Sequence, residues 1–163
     1  MAFVPEDGSI IPGANSFVSL AEANSFHADR GNTAWAGTDN VKEAALIKAT
    51  DYIEQTYGHK WLGELISPHQ SLSWPRENVP NVASDEIPVK LKQAVCTLAL
   101  EALTTDLNPA LARGGLVKRE KVDVIEVEYM DGAKSETKRP AVDGLLRGLL
   151  SSSSALNGKV IRV

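Results

Sequence analysis

The most strongly helical part of the chain is residues 87–105, IPVKLKQAVCTLALEALTT. Its apolar side chains recur at steps of three and four residues, the spacing of one helical face: Leu91, Ala94, Val95, Leu98, Ala99 and Ala102. Ile87-Pro88 marks the start, since proline is tolerated in the first turn of a helix. The stretch is apolar around most of its circumference, which predicts a position at the centre of a helical bundle.

Two further helices are predicted on the N-terminal side of this central helix. Ser19 and Glu22 have the spacing of a capping box, in which each side chain bonds the other's backbone N–H, and a helix over about 20–30 follows. Thr38-Asp39 opens a longer helix that runs to Tyr57 and ends at Gly58. This helix needs a packing partner, because an isolated helix of about 18 residues is only marginally stable in water.

The segments around these helices are less regular. Residues 1–18 are rich in Gly, Pro and Asn and predict an extended arm. Residues 58–86 show no clear period, and a loop of this length is usually functional or closely packed on the body. Residues 140–150 predict a short last helix, and the serines at 151–154 predict a flexible spacer.

A β-hairpin is predicted between the central and the last helix. Residues 122–129 are β-branched or aromatic at alternating positions, and the alternation changes phase at 124–125, which predicts a bulged strand. Asp131-Gly132 is a hairpin turn signal, and the return strand is expected at about 134–139.

These predictions give a mainly α protein, a three- to four-helix bundle with an inserted β-hairpin at about 117–139 and extended N- and C-terminal arms. The arm is residues 1–18, the helical domain is residues 19–150, and the flexible C-terminal tail is residues 151–163.

Composition excludes several classes of protein. The chain has 163 residues and a formal net charge of −4, whereas a dedicated duplex-DNA binder usually carries a basic excess. No apolar run approaches the roughly 20 residues that span a bilayer. Cys96 is the single cysteine, so we expect no internal disulfide and a small buried apolar side chain. The first residues lack the features of a signal peptide, and we expect synthesis in the cytoplasm.

No catalytic, metal-binding or cofactor-binding pattern is present in the sequence. It contains no phosphate-binding glycine loop, no zinc-binding HExxH and no paired CxxC. His27, His59 and His69 are predicted to be solvated imidazoles. Asp51 and Glu54 are predicted to lie on a solvated helix face. We therefore expect a protein that is not an enzyme and uses no metal or cofactor.

Trp61, Trp74 and Arg76 allow two interpretations. Aromatic rings beside an arginine can stack on bases and hold phosphate, which is typical of single-strand binding. Alternatively, the two tryptophans anchor the long loop on the bundle and Arg76 pairs with a helix C-terminus or a carboxylate. The absence of a surrounding Lys/Arg cluster favours the anchoring role.

The end of the chain also allows two interpretations. Lys159-Val160-Ile161-Arg162-Val163 is a short β-prone segment behind a flexible spacer. It could add a strand to the sheet of a partner, or it could be a frayed terminus.

Several stretches form a recognisable pattern through their order and spacing. They are Glu6-Asp7-Gly8, residues 14–19 (ANSFVS), residues 21–23 (AEA), Arg30-Gly31-Asn32, Trp35, residues 45–53 (ALIKATDYI), the motif Gln70-x-Leu72-x-Trp74-Pro75-Arg76, Ile87-Pro88 and residues 118–129. The pattern covers about 6–150 and resembles a family of tailed-phage head-to-tail adaptors, also called head completion or connector proteins. The same family is also labelled DnaT-like single-stranded DNA-binding protein.

The resemblance implies a helical bundle with a hairpin that assembles into a ring, dodecameric by this resemblance. The ring would dock under the portal protein in the virion neck and contact a tail-side stopper or tail protein. DNA would pass through its lumen without specific binding, and no membrane is involved. The adaptor role carries no catalytic residues.

Two functions therefore follow from the sequence. A net acidic chain suits a channel through which DNA slides, because nonspecific affinity for DNA comes mainly from Lys and Arg. The first hypothesis is accordingly a structural head-to-tail adaptor. The alternative is a cytoplasmic single-stranded DNA-binding replication accessory, which would require a contiguous basic groove around Trp61, Trp74 and Arg76.

Overall fold

The computed structural model describes residues 2–109, 117–121, 126–129 and 139–151. The helices are α1 (Leu20–Asp29), α2 (Asp39–Tyr57), α3 (Val89–Ala102) and α4 (Pro140–Leu146), the last continued by a 3-10 turn, Arg147–Leu149. The strands are β1 (Glu64–Leu65), β2 (Arg76–Glu77), β3 (Val117–Lys121) and β4 (Glu126–Tyr129), paired antiparallel as β1–β2 and β3–β4. The predicted fold class, mainly helical with a β-hairpin, is confirmed.

The chain divides into two compact units. The larger unit comprises Met1–Leu107 and Ala141–Val163 and contains α1, α2, α3, β1 and β2. The smaller unit is Asn108–Pro140 and contains the β3–β4 hairpin.

α3 lies in the core of the larger unit, as its sequence predicts. Its side chains from Leu91 to Ala102 that share the predicted stripe are buried, and they pack along α2. On α2, Leu46 and Ile53 have no exposed surface and belong to the same core. Burying side chains of this size contributes roughly 1.5–3 kcal/mol each, so this helix pair supplies much of the stability. The helix ends at Ala102, earlier than the predicted Thr105.

The capping box of α1 is formed as predicted. Ser19 Oγ accepts a hydrogen bond from the Glu22 N–H at 3.3 Å, and the Glu22 carboxylate accepts one from the Ser19 N–H at 2.9 Å. Glu22 also accepts a hydrogen bond from Lys92 Nζ at 2.6 Å, which connects α1 to α3. Thr38 is the N-cap residue of α2, although its side chain makes no capping hydrogen bond.

Residues 2–18 contain no helix, and they lie against the helical body. The buried Glu6 carboxylate accepts three backbone N–H bonds at 2.8 to 2.9 Å, from Gly8, Ile10 and Ile11. The Asn15 N–H donates to the Val4 carbonyl at 2.8 Å, and Phe17 is fully buried. The segment is thus a closed loop that contributes to the core.

The hairpin forms with a different register from the predicted one. β3 pairs with β4 so that Val117 lies opposite Tyr129 and Lys121 opposite Glu126. Of the predicted first strand at 122–129, residues 126–129 form β4, and residues 122–125 lie outside the described residues. The predicted turn at 131–132 also lies outside them, as does most of the return strand.

The register error has a physical reason. β3 is the charged stretch Lys118–Lys121 together with Val117, and alternation of apolar residues cannot reveal such a strand. The observed register places Arg119 opposite Glu128 and has an irregularity between Val117 and Arg119. The predicted bulge at 124–125 lies outside the described residues.

Candidate functional site

The motif Gln70-x-Leu72-x-Trp74-Pro75-Arg76, here called the tryptophan motif, runs through the loop between β1 and β2 and ends at the first residue of β2. The indole ring of Trp74 is part of the core. Trp74 has no exposed surface, and Trp61 is 5% exposed. Their rings meet edge to face with centroids 5.8 Å apart. Leu72 is buried beside them, and the Trp74–Pro75 peptide bond is cis. The loop is therefore anchored by its own apolar residues.

Arg76 holds the two sides of this loop together. It is 9% exposed, and its guanidinium donates to three backbone carbonyls: Leu62 at 2.8 Å, Gly63 at 2.8 Å and Ser73 at 3.2 Å. A guanidinium can do this because its N–H groups point outward from one rigid plane. The backbone thus occupies the donors that would otherwise bind a phosphate.

Gln70 and Glu54 complete the anchoring of the loop. The Gln70 amide donates to the carbonyls of Leu72 and Pro75 at 2.7 and 3.0 Å. The Glu54 carboxylate on α2 accepts hydrogen bonds from the N–H and Oγ of Ser73. Burial raises the pKa of Glu54, against the opposing effects of Ser73 and of the positive charge of Arg76. The prediction that Glu54 lies on a solvated face was wrong, because the loop covers it.

This geometry agrees with the predicted anchoring role of Trp61 and Trp74. Arg76 also anchors the loop, but its hydrogen bonds go to loop carbonyls and not to the predicted helix C-terminus or carboxylate. Trp35 is also buried, at 8% exposure. All three indoles of the chain therefore lie in the core, and none offers a free face on which a base could stack.

His27 is not the solvated imidazole that the sequence predicted. It is 1% exposed, its ring stacks on Trp35 with centroids 4.4 Å apart, and its Nδ1 lies 3.0 Å from Asn32 Nδ2. Burial lowers the pKa of His27, assisted by the nearby charges of Arg30 and Lys42. No local pattern around His27 predicts this burial, because the ring stacks on Trp35, which lies outside α1.

Three further titratable side chains, His59, His69 and Cys96, have the exposure that the sequence predicts. His59 and His69 are exposed. Cys96 is 2% exposed, and burial raises the pKa of its thiol to about 12. A thiol with this pKa is not a nucleophile at neutral pH.

A groove of about 280 Å³ runs between α1 and α3. Its floor includes Cys96, and its rim carries Phe26, Arg30 and Lys92. The Arg30 guanidinium carbon lies 3.6 Å above the centre of the Phe26 ring, while Lys92 is paired with Glu22. This groove brings one partly exposed aromatic ring and two cationic side chains together, although the Lys92 charge is already balanced.

The predicted partner-binding segment Lys159–Val163 lies outside the described residues. The structure shows the residues from which the C-terminal tail begins. The Leu62 N–H donates to the Leu149 carbonyl at 2.9 Å, and the Ser151 N–H donates to the Lys60 carbonyl at 2.7 Å. The C-terminal tail therefore starts beside residues 60–62, next to the anchored loop.

Within the described ranges, no three His, Cys, Asp or Glu side chains are grouped so that they could hold a metal ion. None of the helices there combines the length and apolar character that crossing a bilayer requires. The expectation that the protein is not an enzyme stays a prediction.

The comparisons with known proteins give one match. The model of a family described as "Putative DnaT-like ssDNA binding protein" matches residues 1–163. No curated protein and no solved structure matches the chain. The match thus supports the DnaT-like part of the resemblance, and no comparison supports its adaptor part.

Proposed function

We propose that this chain, which belongs to the family described as "Putative DnaT-like ssDNA binding protein", is a structural head-to-tail adaptor of a tailed phage. Copies of the chain would form a ring under the portal protein and continue the DNA channel towards a tail-side stopper or tail protein. The protein would reside in the virion neck after synthesis in the host cytoplasm.

The observation that carries the proposal is the inward orientation of the tryptophan motif. Trp61 and Trp74 fill the core, and the guanidinium of Arg76 is held by three carbonyls. The residues best suited to bind single-stranded DNA are therefore used to build the subunit. Because its side chains are buried and hydrogen-bonded within the subunit, the motif supports a structural role for the protein more directly than a role in binding nucleic acid.

Net charge supports the same proposal. The chain carries 21 acidic and 17 basic side chains. Binding of phosphates by Lys and Arg drives nonspecific association with DNA, so an acidic subunit suits a channel that DNA must traverse freely. The separate β3–β4 unit and the tail beyond Ser151 are the parts that could contact neighbouring subunits and the portal.

The proposal is tested by depleting the protein from cells that produce the particles. We expect normal synthesis of phage DNA and the accumulation of heads that lack tails, visible by electron microscopy. A loss of DNA synthesis with normal assembly of the remaining particles would contradict the adaptor role. A variant lacking residues 155–163 serves as the partial-function comparison.

A second candidate function is binding of single-stranded DNA, which the family description favours. On the described surface, the α1–α3 groove is the place that fits, because it combines the partly exposed Phe26 ring with the Arg30 guanidinium that lies over it. A binding curve for a labelled dT oligomer of about 30 nucleotides, measured between about 50 and 200 mM salt, tests it. Salt-sensitive binding that is lost in Arg30→Ala, but kept in Arg147→Ala, would favour this function.

A further inference from the structure

β1 is an edge strand with an exposed apolar surface. The β1–β2 sheet has two strands, so β1 pairs on one side only in the part of the chain that the structure describes. Leu65 is 45% exposed, and Ile66, which follows the strand, is 38% exposed. The unpaired N–H and C=O groups of a free edge are a template for pairing with another strand, and exposed apolar side chains favour such pairing. Folded proteins commonly cover such an edge.

The charges at this edge are also unfavourable as they stand. Glu64 lies directly opposite Glu77 in the register, and both are exposed. Like charges in directly opposed positions weaken a strand pair. A cationic strand beside β1 would relieve this repulsion and bury Leu65 and Ile66 at the same time.

The C-terminal segment Lys159–Val163 has the matching composition. Its β-branched pair Val160-Ile161 stands between Lys159 and Arg162. The segment has a matching register with β1 in either direction. In a parallel pair, Lys159 can lie opposite Glu64 with Val160 opposite Leu65. In an antiparallel pair, Arg162 can lie opposite Glu64 with Ile161 opposite Leu65.

The tail also starts within reach of β1. The Ser151 N–H and Oγ both donate to the Lys60 carbonyl, at 2.7 and 2.9 Å. From Lys60 to Glu64 the chain covers at most about 14 Å, whereas residues 152–158 can span roughly 25 Å. Asn157-Gly158 is a dipeptide that favours a tight turn. The tail of the same chain can therefore reverse direction and reach the free edge.

We propose that residues 159–163 add to the free edge of β1 in the same chain as a third strand. The added strand covers Leu65 and Ile66, and the basic side chain opposite Glu64 offsets the repulsion between Glu64 and Glu77. This inference does not depend on the proposed adaptor function. For an adaptor, covering β1 keeps free subunits from pairing with each other through this edge. When the subunit docks, residues 159–163 leave β1 and pair with a sheet edge of the partner.

The test is backbone amide hydrogen exchange at Glu64, Leu65 and Ile66, in the full chain and in a chain that lacks residues 155–163. Successive N–H groups of a strand point to opposite edges, so the added strand bonds only the amides that face away from β2. We expect exchange at those amides to be at least about tenfold slower in the full chain, since an added strand protects them. The protection is expected to be independent of protein concentration, because the strand comes from the same molecule.

Charge variants make the test specific. Glu64→Lys is expected to remove the protection, and combining it with Lys159→Glu and Arg162→Glu is expected to restore it. Glu86→Lys, the same charge change at an exposed position before α3, is the matched control and keeps the protection. Circular dichroism of each variant verifies that the helices are folded.

Two results would overturn the proposal. Equal exchange rates in the full and truncated chains would show that the tail does not cover β1. Protection that rises with protein concentration, together with dimers in sedimentation equilibrium, would identify the tail of a second copy as the occupant.

Discussion

Gly8 lies so close to the Asp85 backbone that no other residue fits there. A Cβ placed on Gly8 would be 1.9 Å from the Asp85 carbonyl oxygen, and the φ angle of Gly8 is +110°. The loop that is held by hydrogen bonds to Glu6 therefore packs closely against the segment that leads into α3. The N-terminal residues are part of the folded body for this reason.

Gly8→Ala is therefore expected to destabilise the protein by about 3 kcal/mol or more, because steric overlap adds to backbone strain. Urea unfolding measures the loss. Gly13→Ala is the matched control: Gly13 also has a positive φ, +76°, but nothing lies within 4 Å of its Cβ position. It should cost only about 1–2 kcal/mol of backbone strain. Equal losses in the two variants would refute the close packing.

Arg76→Lys is expected to destabilise the protein by about 2–4 kcal/mol. Lysine keeps the positive charge but cannot donate along the three directions that the carbonyls of Leu62, Gly63 and Ser73 require, and each lost charged hydrogen bond is worth about 1.5–3 kcal/mol before rearrangement. Thermal unfolding checks the loss. Arg147→Lys, at an exposed position, should unfold like the parent protein. An unchanged melting temperature for Arg76→Lys would contradict the structural role.

His27 is expected to make stability fall as the solution becomes acidic. Its folded-state pKa lies below the ordinary 6.5, so the unfolded state binds the proton more readily. The stability contributed by the neutral ring is complete above about pH 6.5 and is lost as the pH falls from there towards the folded-state pKa.

The measurement is urea unfolding at about pH 7.5 and 5.5, in the parent protein and in His27→Phe. The parent should lose stability between the two values, and His27→Phe should lose markedly less. His59→Gln changes an exposed imidazole and should behave like the parent. The account of His27 fails if His59→Gln, and not His27→Phe, removes the pH dependence.

The buried indoles lead to a prediction about DNA. Because all three tryptophans are in the core, adding a dT oligomer should leave the intrinsic tryptophan fluorescence unchanged. Fluorescence titration at about 50 mM salt is the measurement, and thermal unfolding provides the positive control for a spectral change. Quenching that saturates with oligomer would show that bases reach a tryptophan, and the anchoring interpretation would be wrong.

Deleting residues 155–163 should leave the fold intact and weaken docking on the portal. The described contacts of the C-terminal part, from Leu149 to Ser151, stay in this variant, so its helical body should fold as in the parent, which circular dichroism verifies. Incorporation into particles is the measurement of docking. Unchanged incorporation of the truncated chain would refute a role for the tail.

The sequence was sufficient to predict the helices that depend on local signals. The Ser19–Glu22 capping box and the apolar stripe of α3 each specify their structure within about four residues. The end of α2 at Gly58 was also predicted correctly. Such features need no knowledge of distant parts of the chain.

The parts that could not be predicted depend on distant contacts. The burial of Arg76 requires carbonyls from Leu62 and Gly63, which come from the other side of the loop. The strand at Lys118–Lys121 is stabilised by its pairing with β4, and its charged sequence carries no apolar alternation. His27 is buried because Trp35 folds over its ring. Sequence periodicity reports none of these contacts.

The most direct test of the adaptor role is quantitative mass spectrometry of gradient-purified phage particles. The account predicts that the chain is present in a fixed ratio to the portal protein, at ring-like, low copy number. Its absence from particles, with abundant protein in the producing cells, would contradict the adaptor role and leave single-stranded DNA binding as the function to test.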